Sequence, residues 1–403
     1  MNPILIDINW KNLLPLTFAK PVSHLLIGID TLAEKWERHL NKKPGLLTPE
    51  YLAEAFPNDY PDGGILINSA AIPTPALAEA ISQLKPGQVL TNRGRFVAAL
   101  SDGANFDKLK VRLQHKYKLI FSEFGTEEVY FNEEITILET PADIFAFNDA
   151  ILRQDFKEIT KKFKTTEFPD HIVTSGYDIF IHPDAIVNHC VLNATTGPIY
   201  IGKNAEIMEG SLVRGPFALG EYSTLKMGAK VYGATSIGKH CKVGGEVNNV
   251  VINDYSNKGH DGFLGNSVLG SWCNLGADTN TSNLKNNYGE VKVWSYPDEK
   301  PMATGRRFHG LIMGDHSKAG INTMFNTGTI VGMCANIFDG GFPPKFVPSF
   351  SWGSAGKGFT SFKLDKSFEA AQAMMERRNV SFDKPDAAIF RYVYDHDSTY
   401  RPL

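Results

Sequence analysis

The sequence predicts two architectures in one chain: an α/β domain with a mostly parallel sheet, then a solenoid of short parallel strands, with a short helical tail. Eight aliphatic residues, Ile201, Ile207, Val213, Leu219, Leu225, Val231, Ile237 and Val243, stand on a strict six-residue period. Six residues make one short strand plus one corner, whereas a period of 3.6 signals a helix and a period of 2 a single strand. Ahead of this repeat, strand-like and helix-like runs alternate with no six-residue period, the pattern of an α/β domain. The boundaries fall at residues 1–165, 166–345 and 346–403.

In chain order, ILIDI (4–8) reads as a buried strand and IDTLAEKWERHL (29–40) as an amphipathic helix. GILINS (64–69) is a second strand, followed by PALAEAISQLK (75–85) as a helix and the turn pair Pro86-Gly87. TPADIFAFNDAILRQDFKEITKKFK (140–164) is a helical connector to the solenoid. Within the repeat, the residue four places after each aliphatic is mostly small (Ala205, Ser211, Phe217, Ser223, Ala229, Thr235, Cys241, Val247), as an inward-turning corner requires. Gly202, Gly220, Gly238 and Gly244 follow the aliphatic, where glycine permits a backbone conformation that a β-carbon penalises. The phase resumes at Leu269 and Leu275, breaks over 281–310, and returns at Met313, Ala319, Phe325, Val331 and Ile337. In the tail, KSFEAAQAMMERR (366–378) reads as a helix lying against the solenoid.

Composition narrows the function. A chain of 403 residues accommodates two or three cores, and a net charge of −3 offers no basic surplus for a nucleic acid partner. No charged leader precedes an apolar core and no apolar run approaches a membrane span, so the expectation is a cytoplasmic enzyme with no membrane partner. Cys190, Cys241, Cys273 and Cys334 form no CxxC pair and read as small buried residues. The histidines lack zinc-site spacing.

The repeat resembles that of the hexapeptide-repeat, left-handed parallel β-helix proteins, most of which are acyltransferases. The left hand comes from that resemblance and departs from the usual right-handed crossover. A sharper likeness lies in Lys258-Gly259-His260-Asp261-Gly262-Phe263-Leu264-Gly265 and Leu269-Gly270-Ser271-Trp272-Cys273-Asn274-Leu275-Gly276. These segments resemble the acetyltransferase half of the bifunctional N-acetylglucosamine-1-phosphate uridyltransferase/glucosamine-1-phosphate acetyltransferase family. That family has a glycine-histidine pair, an aromatic three residues on and an asparagine eleven further, positions taken here by His260, Phe263 and Asn274. Acetyl transfer from acetyl-CoA to an amine needs a base that titrates near neutral pH, as histidine does, and needs no cysteine nucleophile.

The resemblance implies that His260 is the catalytic base and that Phe263, Asn274, Asn283 and Glu246 serve the sugar. Of the family's two cations on the sugar phosphate, one maps onto Lys226 and the other falls on Asn248 or Asn249; the family's tyrosine is Phe263 here. A lost cation and a lost hydroxyl imply altered sugar specificity. Gly320, Ile321, Asp339 and Gly340 map to the cofactor groove, and Arg306 and Arg307 in the insertion are candidates for the coenzyme A or sugar phosphates. The family also implies a homotrimer.

Leu14-Pro15-Leu16-Thr17 and Lys20-Pro21 resemble the segment of sugar-nucleotide pyrophosphorylases that holds a nucleoside triphosphate, making Thr17 and Lys20 nucleotide-binding candidates, with Mg2+ on the phosphates. Here residues 9–16, NWKNLLPL, lack the family's glycine-rich loop, and Asn68 stands where a metal-binding aspartate is usual, leaving Asp7 or Asp62 as replacements. The expected function is therefore acetyl transfer to a hexosamine 1-phosphate of the glucosamine type in the solenoid, coupled to transfer of a nucleotidyl group from a UTP-like triphosphate in the first domain. The alternatives are an acyltransferase with a degenerate first domain, and a non-catalytic sugar-nucleotide-binding assembly protein.

Overall fold

The computed structural model describes residues 1–114, 123–162 and 168–401, so the boundary expected at residue 165 lies outside the described residues. The first domain is a six-stranded sheet in the order Gly45–Leu47, Pro3–Ile6, Gly64–Asn68, Arg95–Ser101, Gln88–Asn92 and Glu127–Tyr130. The first three strands are mutually parallel, and the last two are parallel to each other. Arg95–Ser101 runs antiparallel to both its neighbours. Its hairpin with Gln88–Asn92 turns at Arg93 and Gly94, both at positive φ (51° and 73°).

Helices α1 (Leu32–Leu40), α2 (Pro75–Ser82), α3 (Phe106–Gln114) and α4 (Pro141–Thr160) accompany the sheet, all but α3 anticipated by the helical runs. The start of α1 is fixed by a capping box, in which Thr31 accepts from the Glu34 N–H and the Glu34 carboxylate accepts from the Thr31 N–H.

The second domain is a left-handed parallel β-helix. All eight aliphatics of the period are at most 2 % exposed, and the eight corner residues four places on are fully buried. Buried corner serines tie coils together: the Ser223 hydroxyl donates to the Gly238 carbonyl at 2.6 Å and accepts from the Cys241 N–H at 2.8 Å. Ser256 repeats this between Gly270 and Cys273, and Ser317 between Gly332 and Ala335. The four cysteines are buried and unpaired.

The glycine expectation needs correction. None of Gly202, Gly220, Gly238 and Gly244 has a positive φ. A β-carbon at Gly220 would instead lie 2.5 Å from the Gly238 carbonyl oxygen, and one at Gly238 2.3 Å from Asp254, so close approach of the next coil demands glycine. The left-handed backbone falls at the corner two residues past several of these glycines, on Asn204, Tyr222 and His240.

The insertion forms an antiparallel hairpin of Lys292–Ser295 with Lys300–Ala303, and the coil resumes at Leu311–Met313. Two helices, α5 (Leu364–Glu376) and α6 (Lys384–His396), end the chain. One hydrophobic cluster runs through the first domain (Leu16, Phe18, Ile27), one solenoid face (Val251, Val268, Ile312, Ile330) and both tail helices (Ala371, Ile389, Phe390). Among the described residues no helix is long and apolar enough to cross a membrane.

Candidate active site

One face of the solenoid stacks Thr224–Leu225, Lys242–Val243, Asn257–Lys258, Asn274–Leu275 and Lys318–Ala319 in register. The second residue of each pair points inward, so Lys242, Asn257 and Asn274 stand outward on successive rungs about 4.8 Å apart. The end of α5 faces this row, and the two enclose a cleft of about 630 Å³. Lys226, Lys242, His260, Asn274 and Ile321 line it from the coils; Met374, Arg377 and Arg378 line it from the tail.

Aromatic rings stacked up the corners border the cleft. Tyr222, His240, Tyr255 and Trp272 lie with centroids 4.9, 4.8 and 4.1 Å apart and planes within 8°. Tyr255 and Trp272 are part of the lining.

The turn that carries His260 is held from within. Lys258 occupies an inward position where the repeat otherwise has an aliphatic, and its ammonium donates to the His260 carbonyl at 2.5 Å. Burial lowers this lysine to about 8, opposed by the nearby Asp261 and Asp278. The backbone is thus pinned while the His260 side chain stays exposed at the cleft. A free imidazole beside an amide side chain and a set of cations can accept a proton from a bound amine while an anionic group is held nearby.

Of the sequence candidates, His260, Lys226, Asn274 and Ile321 meet in the cleft. Others are placed elsewhere. Glu246 and Phe263 are rung neighbours beyond the cleft, and Glu246 accepts from the Tyr232 hydroxyl at 2.5 Å. Asn283 donates to the Asn266 amide oxygen at 2.8 Å. Asp339 pairs with Lys357 at 3.1 Å, and a β-carbon at Gly320 would sit 3.3 Å from Phe338, so Gly320 and Gly340 pack against the next coil and Asn322 respectively. Arg306 does not reach the cleft: it forms an ion pair with Asp143 at the start of α4 at 2.9 Å, and Arg307 is exposed. Asn249 faces Ala234 and Phe145. Sequence reasoning missed Lys242, Arg377 and Arg378 as site residues; the signal was present in the basic end of KSFEAAQAMMERR, but only the folded tail shows which face of the solenoid it meets.

The nucleotide candidates have partners within the protein. The Thr17 hydroxyl, fully buried, donates to the Trp10 carbonyl at 2.6 Å. Lys20 pairs with Asp315 of the solenoid at 3.1 Å, the two side chains 9 % and 5 % exposed, and also donates to the Ser271 hydroxyl. Both lysine and aspartate therefore hold the domains together. At the carboxyl edge of the sheet, Asp7 accepts from the Val22 N–H at 3.3 Å, and complete burial raises its carboxyl to about 7, with Ser69 and Val22 opposing. Asn68 donates to the Phe96 carbonyl. Among the described residues no three His, Cys, Asp or Glu side chains are grouped to hold a metal ion.

In fold, the chain is an α/β domain followed by a parallel β-helix of six-residue repeats. Residues 4–164 match the family model described as sugar nucleotidyl transferase. The chain is similar to the bifunctional protein GlmU of Synechococcus elongatus, 25 % identical over 255 residues that cover 55 % of this chain and 52 % of that protein. It is also similar to a bifunctional sugar-1-phosphate nucleotidylyltransferase/acetyltransferase of Sulfurisphaera tokodaii, 32 % identical over 146 residues, 36 % of each chain. The putative uncharacterized acetyltransferase YaiX of Escherichia coli is 28 % identical over 148 residues, 36 % of this chain and 64 % of that one. The chain thus spans about half the length of the first of these relatives.

Proposed function

We propose that the chain transfers an acetyl group from acetyl-CoA to the amine of a hexosamine 1-phosphate of the glucosamine type. The observation that carries this reading is the convergence of His260, Asn274 and Lys226, distant in sequence, on one cleft whose lining includes four cations and no carboxylate. The amine nitrogen attacks the thioester carbonyl carbon, His260 takes the proton the nitrogen loses, and the carbon–sulfur bond breaks to leave an amide. The imidazolium then returns the proton to the departing thiolate. Asn274 hydrogen-bonds a sugar hydroxyl, Lys226 holds phosphate, and Ile321 packs along the acyl carrier. A homotrimer in the cytoplasm, as in the family the repeat resembles, belongs to the same proposal.

In its bifunctional form the proposal adds transfer of a nucleotidyl group from a UTP-like triphosphate to the sugar 1-phosphate, with Mg2+ carried on the triphosphate. A second reading, acetyl transfer alone above a first domain that does not turn over, is favoured by the commitment of Lys20 to Asp315.

Thiol release from acetyl-CoA with a panel of hexosamine 1-phosphates tests the main reading. His260→Ala is expected to cut the rate by about 10² to 10⁴-fold; no release with any sugar from the wild-type chain overturns it. Mg2+-dependent pyrophosphate release separates the bifunctional form from the second reading.

A further inference from the structure

Lys226, Lys242, Arg377 and Arg378 line the cleft, and among the described residues no aspartate or glutamate does so. Elsewhere several buried and half-buried cations have carboxylate partners: Lys20 with Asp315, Lys35 with Asp155, Lys239 with Glu34 and Arg306 with Asp143. In the cleft, the side-chain partner of Arg378 is the neutral amide of Asn257, whose oxygen accepts at 3.4 Å. Like charges gathered in a half-enclosed space repel, and the repulsion is relieved by an anionic ligand. Basic residues at a helix C-terminus also complement the helix dipole, but that accounts for Arg377 and Arg378 alone and not for the two lysines on the opposite wall.

A second observation concerns the coil. The position where a further phosphate-binding cation was expected carries Asn248 and Asn249, and neither lines the cleft. The tail supplies cations at the same cleft: Arg377 caps α5, and the Arg378 N–H bonds the Met375 carbonyl at 2.8 Å, fixing the backbone from which both side chains extend. A guanidinium presents a planar fork that fits two phosphate oxygens at once.

We propose that Arg377 and Arg378 bind the phosphate of the acceptor sugar, gripping it from the tail while Lys226 holds it from the coil. The proposal rests on the reading of the cleft as the acceptor site. It makes α5 a recognition element, and it makes the phosphate on the sugar, rather than the amine alone, the feature by which acceptors are selected.

Titration calorimetry tests it without turnover, using hexosamine 1-phosphates, the matching free hexosamines and coenzyme A as probes. The double variant Arg377→Gln/Arg378→Gln is expected to weaken sugar phosphate binding by about 10 to 100-fold, to leave the free hexosamines and coenzyme A nearly unchanged, and to keep the wild-type melting temperature. Arg377→Lys/Arg378→Lys is expected to restore much of the affinity. Unchanged sugar phosphate affinity, a loss confined to coenzyme A, an equal loss for phosphorylated and free sugars, or no binding of any sugar phosphate to the wild-type chain overturns the proposal. Arginine-dependent sugar phosphate binding without any thiol release leaves the clamp standing and sinks the acetyl-transfer reading instead.

Discussion

The carboxyl edge of the first domain's sheet and the cleft on the solenoid hold similar kinds of polar groups in opposite conditions. At the sheet edge, Thr17, Lys20 and Asn68 each have a partner within the protein, and Asp7 is raised by burial. In the cleft, His260 and the surrounding cations face open space with no carboxylate in the lining. A polar group that already spends its hydrogen bonds on its own fold has little left to offer a ligand. The contrast is what favours the solenoid cleft as the place for the proposed acetyl transfer, and the Lys20–Asp315 pair gives the first domain a share in holding that solenoid.

The largest effect should come from breaking the interdomain pair. Lys20→Met leaves Asp315 buried without its cation, and a loss of about 3 to 5 kcal/mol is expected in denaturant unfolding. A variant that lost pyrophosphate release with unchanged stability would show that Lys20 serves a nucleotide after all. Next comes Asp7. Its folded value, about 7, lies above the ordinary 3.8, so stability falls as pH rises from about 4 to 7 and the penalty persists above that. Asp7→Asn should therefore stabilise at pH 8 by on the order of 1–2 kcal/mol, the gain fading toward pH 4. A destabilised variant at pH 8 would mean that the carboxylate is needed charged.

The smallest effect tests the cleft side. Lys258 is lowered to about 8 from 10.5, so the folded state gains stability as pH rises between those values. Lys258→Met should erase that rise and slow thiol release by loosening the turn, because the bond to the His260 carbonyl is lost. Full activity in this variant would show that the turn needs no such support.

The solenoid was legible because its period is a local rule repeated many times: each aliphatic from Ile201 to Val243 is buried as the spacing required. The cleft was legible where a motif is contiguous, as around His260. It was not legible at Lys242, Arg377 and Arg378, because two of these belong to a tail that reaches the coils only through tertiary packing. Lys20 and Arg306 show the reverse case. Each is a cation in a suggestive segment, and each is neutralised by an aspartate far away in sequence, Asp315 and Asp143.

The cluster that joins the first domain to the later coils also gives the solenoid a direction. A free array of coils unravels from either end, since each coil leans only on its neighbours. Here Ile330, Met333 and Phe350 of the last coils share a core with Leu16, Phe18 and Phe390, whereas Ile172, Ile179 and Ile201 of the first coils lie in a cluster confined to the solenoid and its flanks. One-sided fraying is therefore expected: amide hydrogen exchange should open the early coils first, while the coils around His260 and beyond exchange only with global unfolding.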